Sequence, residues 1–385
     1  MIIPAEFDEI RPYTPEELPG IFEEILKDET FRAVITKVLP DIPFDTFAAG
    51  LRSCRTVDEV QEKFCYPLLF QLADRCSDGL DMDSTSLPDH DRAYTFVTNH
   101  RDIVLDSAFL SIMMVKNGFR STPEIAIGDN LLILPWIRMF VRVNKSFIVQ
   151  RSLSMRQMLL SSARLGRYIH FAVSEKHQSV WIAQREGRAK DSDDRTQDSI
   201  LKMMCMGGEG SVTERLKALH IVPTALSYEY DPCDYLKAQE FQQKRDIPGF
   251  KKSQQDDLDN MYTGIYGYKG RIHFQTGACI DEWLDSLPAD LPKTELYPRI
   301  AAHIDREIHR NYRLYPGNFV AADLLHGTTA FADRYTDEEK ERFEQYLQSR
   351  LDKITLSQPD LPFLRERILT MYANPVFNHQ KALEA

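Results

Sequence analysis

Residues 94–106 read Tyr94-Thr95-Phe96-Val97-Thr98-Asn99-His100-Arg101-Asp102-Ile103-Val104-Leu105-Asp106. The run 94–98 is β-branched and aromatic, the composition of a short buried strand. Asn99-His100-Arg101-Asp102 interrupts it with polar groups, and Asp106 opens an apolar stretch, 107–115, that reads as a helix. A histidine at a strand-to-helix junction, followed by an acid, is the layout of a general base and its orienter. One ring nitrogen takes a proton from a hydroxyl, while a carboxylate on the other fixes the tautomer and stabilises the imidazolium. Asp102 and Asp106 both qualify as the carboxylate. The plainer alternative is a histidine satisfied by a backbone carbonyl, with Asp106 serving only as a helix cap.

Outward from this stretch, apolar runs alternate with amphipathic segments. Strands are expected at 94–98, 124–127, 147–150, 179–183, 221–227 and 270–274, which predicts an α/β fold with a mixed sheet flanked by helices. Pro223 demotes the 221–227 run to an edge strand or marks its start. Residues 77–92, rich in Asp and Ser with Gly79 and Pro88, read as a loop. The first 75 residues are helical in pattern. Thr14-Pro15-Glu16-Glu17 and Thr56-Val57-Asp58-Glu59 have the form of capping boxes. Residues 231–262 read as a charged surface insertion, 295–313 and 337–354 as helices, and 371–385 as a tail. This gives a helical N-terminal region (1–92), a central α/β domain (93–290) and a C-terminal helical extension packed on it (291–385).

The formal net charge of -11 argues against binding nucleic acid or anionic lipid over the whole surface. Six scattered cysteines form no Cys-x-x-Cys pair, so no zinc site is expected and a reducing, cytoplasmic compartment fits. No secretory signal is visible at the N-terminus and no apolar run reaches the ~18 residues of a membrane span.

Residues 130–174 contain no Asp or Glu but carry Arg138, Arg142, Lys145, Arg151, Arg156, Arg164 and Arg167. That asymmetry predicts a local positive surface for an anionic partner. Within it, Leu131 to Arg142 is apolar with Trp136 and arginines at i, i+4. It suits a membrane-interfacial segment, or equally a core helix whose arginines snorkel. Residues 180–190 read as a strand entering a glycine-containing charged turn, Glu186-Gly187-Arg188-Ala189-Lys190. Such a turn can hold a phosphate or merely be solvated.

Four blocks together resemble the glycerol-phosphate acyltransferase superfamily. They are Asn99-His100-Arg101 with Asp106, Phe147-Ile148-Val149-Gln150-Arg151, Trp181 to Lys190, and Val222-Pro223 through Tyr228-Glu229. The resemblance spans roughly residues 94–280. Three departures of one residue accompany it. Five residues separate His100 from Asp106 where the family has four, Arg151 lies one residue late, and Glu186-Gly187-Arg188 lacks one residue of Glu-Gly-x-Arg. Asp106 is preferred as the orienter because the apolar helix follows it, with Asp102 as its rival.

The resemblance implies transfer of a fatty acyl group from a thioester, acyl-CoA or acyl carrier protein (acyl-ACP), to a hydroxyl of glycerol-3-phosphate or 1-acylglycerol-3-phosphate. His100 would be the base. Arg151, Arg188 and Lys190 would grip the acceptor phosphate, Gly187 would let the backbone approach it, Glu186 would orient those cations or the acceptor hydroxyl, and Val222 and Pro223 would shape the wall. No cofactor beyond the thioester co-substrate is implied, and no metal. The implied location is cytoplasmic, either free or peripheral on the inner face of the cell membrane, with residues 130–174 toward an anionic surface. Two other readings stay open: a lyso-lipid acceptor with an amino-acid head group, and a non-catalytic scaffold of the same fold that binds acyl carrier or membrane.

Overall fold

The computed structural model describes residues 2–151 and 153–384. Seven strands, β1 (Gly79–Asp83), β2 (Thr95–Thr98), β3 (Glu124–Gly128), β4 (Ser146–Val149), β5 (Val180–Ala183), β6 (Ile221–Tyr228) and β7 (Arg271–Thr276), form one sheet in the order β1-β7-β6-β2-β5-β3-β4. The β6–β7 pair is antiparallel and the other pairs are parallel, so the sheet is mixed and the fold α/β. All six expected strands form, with their ends shifted by a residue or two.

Strand alternation explains why both faces are covered. Val97, Val180, Ile182, Ile221 and Ala225 belong to one core cluster. Their neighbours Phe96, Trp181, Val222 and Leu226 belong to the other. A period of two sends successive side chains to opposite faces, and strands apolar at every position must be covered on both. The first face is packed by helices Met155–His170, Asp198–Met204 and Lys293–Arg310, and the second by Tyr66–Cys76 and Leu105–Lys116. A third cluster joins helices Pro316–His326, Asp337–Leu351 and Leu361–Glu384. The segment from residue 371 is thus the second half of a long helix. A fourth cluster packs helices Leu18–Lys27, Glu29–Val38 and Phe44–Ser53 on helix Pro135–Val143 through Trp136, Met139 and Phe140.

Several expectations are corrected. Residues 79–83 form an edge strand inside the stretch read as a loop. β1 pairs parallel to β7 from Gly79↔Arg271 to Asp83↔Gln275, and its aspartates hid it because acids are poor strand formers. Pro223 sits in an interior strand, paired with Val97. It is tolerated because the ladder to β7 begins one residue later, at Thr224. There Pro223 only has to accept a bond, from the N–H of Gly277 at 2.8 Å. Thr14 is not the cap of the first long helix, which starts at Leu18 after a turn. Glu17 instead takes the Thr14 N–H at 2.7 Å and pairs with Arg11.

Helix Asp234–Asp246 is no surface insertion. Asp234, Lys237, Gln239, Glu240 and Gln242 are buried, and the charges among them are paired: Lys237 with Asp231 just before the helix, but Asp234 with the distant Arg350 and Glu240 with the distant Lys190. Buried charge persists when paired, and partners so far along the chain leave no local signal.

Candidate active site

β2, β5, β3 and β4 run parallel, so the loops after them leave one edge of the sheet. From β2 the chain steps outward to β3 and β4, returns to β5, and then crosses to β6 on the other side of β2. The carboxyl edge at such a switch point is where open α/β sheets form sites, and His100 lies there, two residues beyond β2.

His100 Nδ1 lies 2.7 Å from Asp106 Oδ2. A buried carboxylate accepts, so Nδ1 carries the proton and Nε2 is left as the acceptor, with no hydrogen-bond partner among the described residues. The His100 side chain is 14% exposed and that of Asp106 1%. The Asp106 carboxylate also accepts the N–H of Arg101 (2.6 Å), the N–H of Asp102 (3.0 Å) and the Tyr228 hydroxyl (3.0 Å). It therefore ties together the histidine, its loop and β6. Asp102 does not face the imidazole. Its Oδ1 accepts the N–H groups of Val104 and Leu105 at 2.9 and 2.8 Å, capping helix Leu105–Lys116. Burial, and then the nearby Asp106 charge, raise the Asp102 pKa. Gly264 packs against it so closely that a Cβ there would lie 2.1 Å from Asp102 Oδ2.

The loop is held from every side. Asn99 clamps β2 to β6, donating to Leu226 O and accepting from Leu226 N, both at 2.8 Å. Arg101 turns inward and makes a two-pronged bond to Asp194 at 3.0 and 2.7 Å, and Tyr312 donates to the same carboxylate. Lys237 Nζ reaches Arg101 O. The Trp181 ring meets the imidazole edge-on at 5.8 Å, with its N–H on Thr98 Oγ1. Sequence reasoning singled out neither Asn99, Asp194 nor Trp181 as site residues. Arg101, buried beside the histidine, was the one available sign of a buried acid elsewhere.

The expected phosphate ligands divide into two groups. Arg188 points inward. Its Nη2 donates to Asn260 Oδ1 at 3.2 Å, its Nη1 is buried without a hydrogen-bond partner among the described residues, and its charge is felt at Asp102 and Asp231. Gly187 makes the turn possible at φ +70, a conformation that side chains resist. Glu186 is exposed, and Arg151 Nη1 lies 3.5 Å from it. Arg151 leaves β4, three strand spacings from β2 or about 14 Å away, at the rim. Lys190 is not brought to the site. It is paired with Glu240, which also binds Lys244 and Lys252, and burial lowers its pKa to about 8 despite that partner. Pro223 lies within the sheet, below the carboxyl edge.

Burial raises the pKa of all six cysteine thiols, to about 12 for Cys65, Cys233 and Cys279. None is therefore a thiolate nucleophile near neutral pH. His220, Cys279 and Asp281 bring ligand atoms within 4.8 Å of one another. They lie at the opposite end of β6, however, and Arg92 places its positive charge against both His220 and Asp281.

The loop bearing Asp194 is fixed by Asp305, whose Oδ1 accepts the N–H and hydroxyl of Thr196 at 2.7 and 2.6 Å. Burial raises the Asp305 pKa to about 6. The folded value lies above the unfolded one of about 3.9, so the protonated form is favoured on folding. Below pH ~4 no penalty applies. It grows as pH rises through 6 and is complete above that. Asp305→Asn keeps the acceptor and removes the charge. It should stabilise the protein by about 2–3 kcal/mol at pH 7.5 and have little effect at pH 4. Urea unfolding of both proteins at the two pH values checks this.

Neither a family model nor a curated protein matches the chain. Among solved structures, the 1-acyl-sn-glycerophosphate acyltransferase PlsC of Thermotoga maritima is similar over 76% of this chain and 98% of its own. The identity is 10% and the TM-score 0.35, too distant to bear on fold or function.

Proposed function

We propose that this chain is an O-acyltransferase that moves a fatty acyl group from a thioester to a hydroxyl of a glycerol-phosphate acceptor. One observation carries the reading: an imidazole at the carboxyl edge of the sheet, with Nδ1 on a buried carboxylate and Nε2 free. The resemblance of the four sequence blocks supplies the substrate class. His100 Nε2 takes the acceptor's hydroxyl proton as its oxygen attacks the thioester carbonyl. The C–S bond breaks, the sulfur leaves with the proton from the imidazolium, and an ester and a free thiol result. Asp106 holds the tautomer and offsets the positive charge that forms. The thioester is already activated, so no acyl-enzyme is needed. Arg188, with an unfilled N–H beside the histidine loop, grips the acceptor phosphate, and Arg151 guards the rim. Acyl-CoA and acyl carrier protein are the donor partners of this reading.

Tyr228 acts through Asp106 as a positioning residue. Tyr228→Phe removes one of the donors to that carboxylate. It should lower kcat about tenfold, or about 1.4 kcal/mol, with KM for the acceptor unchanged, which steady-state kinetics would show.

The function is tested by incubating the protein with palmitoyl-CoA and, separately, palmitoyl-acyl carrier protein. Each reaction is offered glycerol-3-phosphate, 1-acylglycerol-3-phosphate and a lyso-lipid with an amino-acid head group. Mass spectrometry should find acylated product with a phosphate acceptor. Product only with the amino-acid acceptor would reassign the substrate, and no product with any would overturn the reading.

A further inference from the structure

The basic stretch 130–174 is less open than its sequence suggests. Arg142 is buried on the carbonyls of Asp8 and Arg11. Lys145 pairs with Asp58, Arg164 with Glu9 and Arg167 with Glu6. Arg138 and Arg156 have no ion-pair partner among the described residues, and Arg151 has only the long contact to Glu186.

Next along the chain from Arg151, and carrying Arg156, stands a largely apolar turn that the fold leaves uncovered. Residues 154–160 are all exposed, among them Met155 (89%), Met158, Leu159 and Leu160 (63%). The helix is built firmly up to that end. Ser154 and Gln157 form a reciprocal capping box at its N-terminus. Tight packing begins only further along, from Leu165. Ile133 and Leu134, also exposed, emerge from the adjoining loop after β3, tied to this one by the bond from Arg151 N to Asp129. Both loops leave the carboxyl edge that carries His100.

We propose that the turn 155–160 inserts into an anionic lipid bilayer and seats the mouth of the site on the membrane surface. Met155, Met158, Leu159 and Leu160 spread over an arc of about 200° of the helix, and Arg156 within that arc has a stem long enough to carry its charge to the head groups. A protein groove covers a narrower stripe, whereas apolar groups exposed over so wide an arc need a medium that surrounds them. Arg151 just before the turn and Arg156 within it, in a stretch with no acid between residues 130 and 174, match anionic head groups. The orientation of the mouth rests on the acyltransferase reading, but the binding itself does not.

The test is flotation of the full chain with vesicles of phosphatidylcholine alone or with one-third phosphatidylglycerol, which needs no turnover. The wild type should float with the anionic vesicles and be partly released by 0.5 M salt, a screening concentration. The triple variant Met155→Ser, Leu159→Ser, Leu160→Ser should bind at least tenfold more weakly while keeping wild-type activity on a water-soluble short-chain thioester. As a second probe, Met155→Trp should show a blue-shifted fluorescence on anionic vesicles. Three results would each overturn the proposal: no flotation of the wild type, equal flotation of the triple variant, or a triple variant that changes from dimer to monomer, which marks a self-interface. Flotation without any acyl transfer would leave this proposal standing and sink the catalytic one.

Discussion

His100→Ala should reduce acceptor-dependent acyl transfer by about 10²–10⁴, the range a positioned general base supplies, and leave the thermal midpoint nearly unchanged. Among the described residues the imidazole makes a single hydrogen bond, to Asp106. When it is removed, Asp106 still accepts the N–H of Arg101, the N–H of Asp102 and the Tyr228 hydroxyl. The loop therefore keeps its shape, and the loss falls on chemistry. Asp106→Asn is a poorer test. An amide nitrogen placed among those donors would disturb the loop as well as the histidine. The measurements are product formation rate and circular dichroism melting of the same preparation. Activity within tenfold of wild type, at an unchanged midpoint, would remove His100 from the role of base.

The second large effect concerns stability. Asp194→Asn should destabilise the protein by about 3–5 kcal/mol, the usual cost of leaving a buried charge without its partner. Arg101 and Asp194 are both buried, and burial disfavours the Arg101 charge while Asp194 supports it. The double variant Arg101→Met, Asp194→Leu removes both charges and should recover most of that loss, because a buried pair is often replaceable by apolar groups of similar volume. Catalysis should not recover with it, since Arg101 helps hold the loop from which His100 projects. Denaturant unfolding of Arg101→Met, of Asp194→Leu and of the double gives the coupling. A single variant within 1 kcal/mol of wild type would show that the pair does not anchor the loop.

The parts of this molecule that were readable beforehand share a physical cause. β2, β5 and β6 are apolar at successive positions, a pattern dictated by burial on both faces, and the His100 to Asp106 stretch carries its partner one helical start away. What stayed hidden depends on contacts between distant residues. β1 is a short acidic edge strand, recognisable only from its pairing with β7, almost two hundred residues later. The charges of helix Asp234–Asp246 look solvated until Lys190 and Arg350 arrive from other parts of the chain. Lys190 fits a phosphate turn in sequence, yet Glu240 takes it. Between Asp102 and Asp106, spacing alone left the orienter open. The geometry separates them, since one carboxylate caps the helix and the other meets the imidazole.

The most direct measurement is thiol release from palmitoyl-CoA and from palmitoyl-acyl carrier protein by the wild-type protein, each with and without glycerol-3-phosphate or 1-acylglycerol-3-phosphate. A base acting on an acceptor hydroxyl, with no acyl-enzyme, should give release that rises and saturates with acceptor and is near background without it. Release that is rapid without acceptor, or absent with every acceptor and both donors, would contradict the role proposed for His100 and the chemistry built on it.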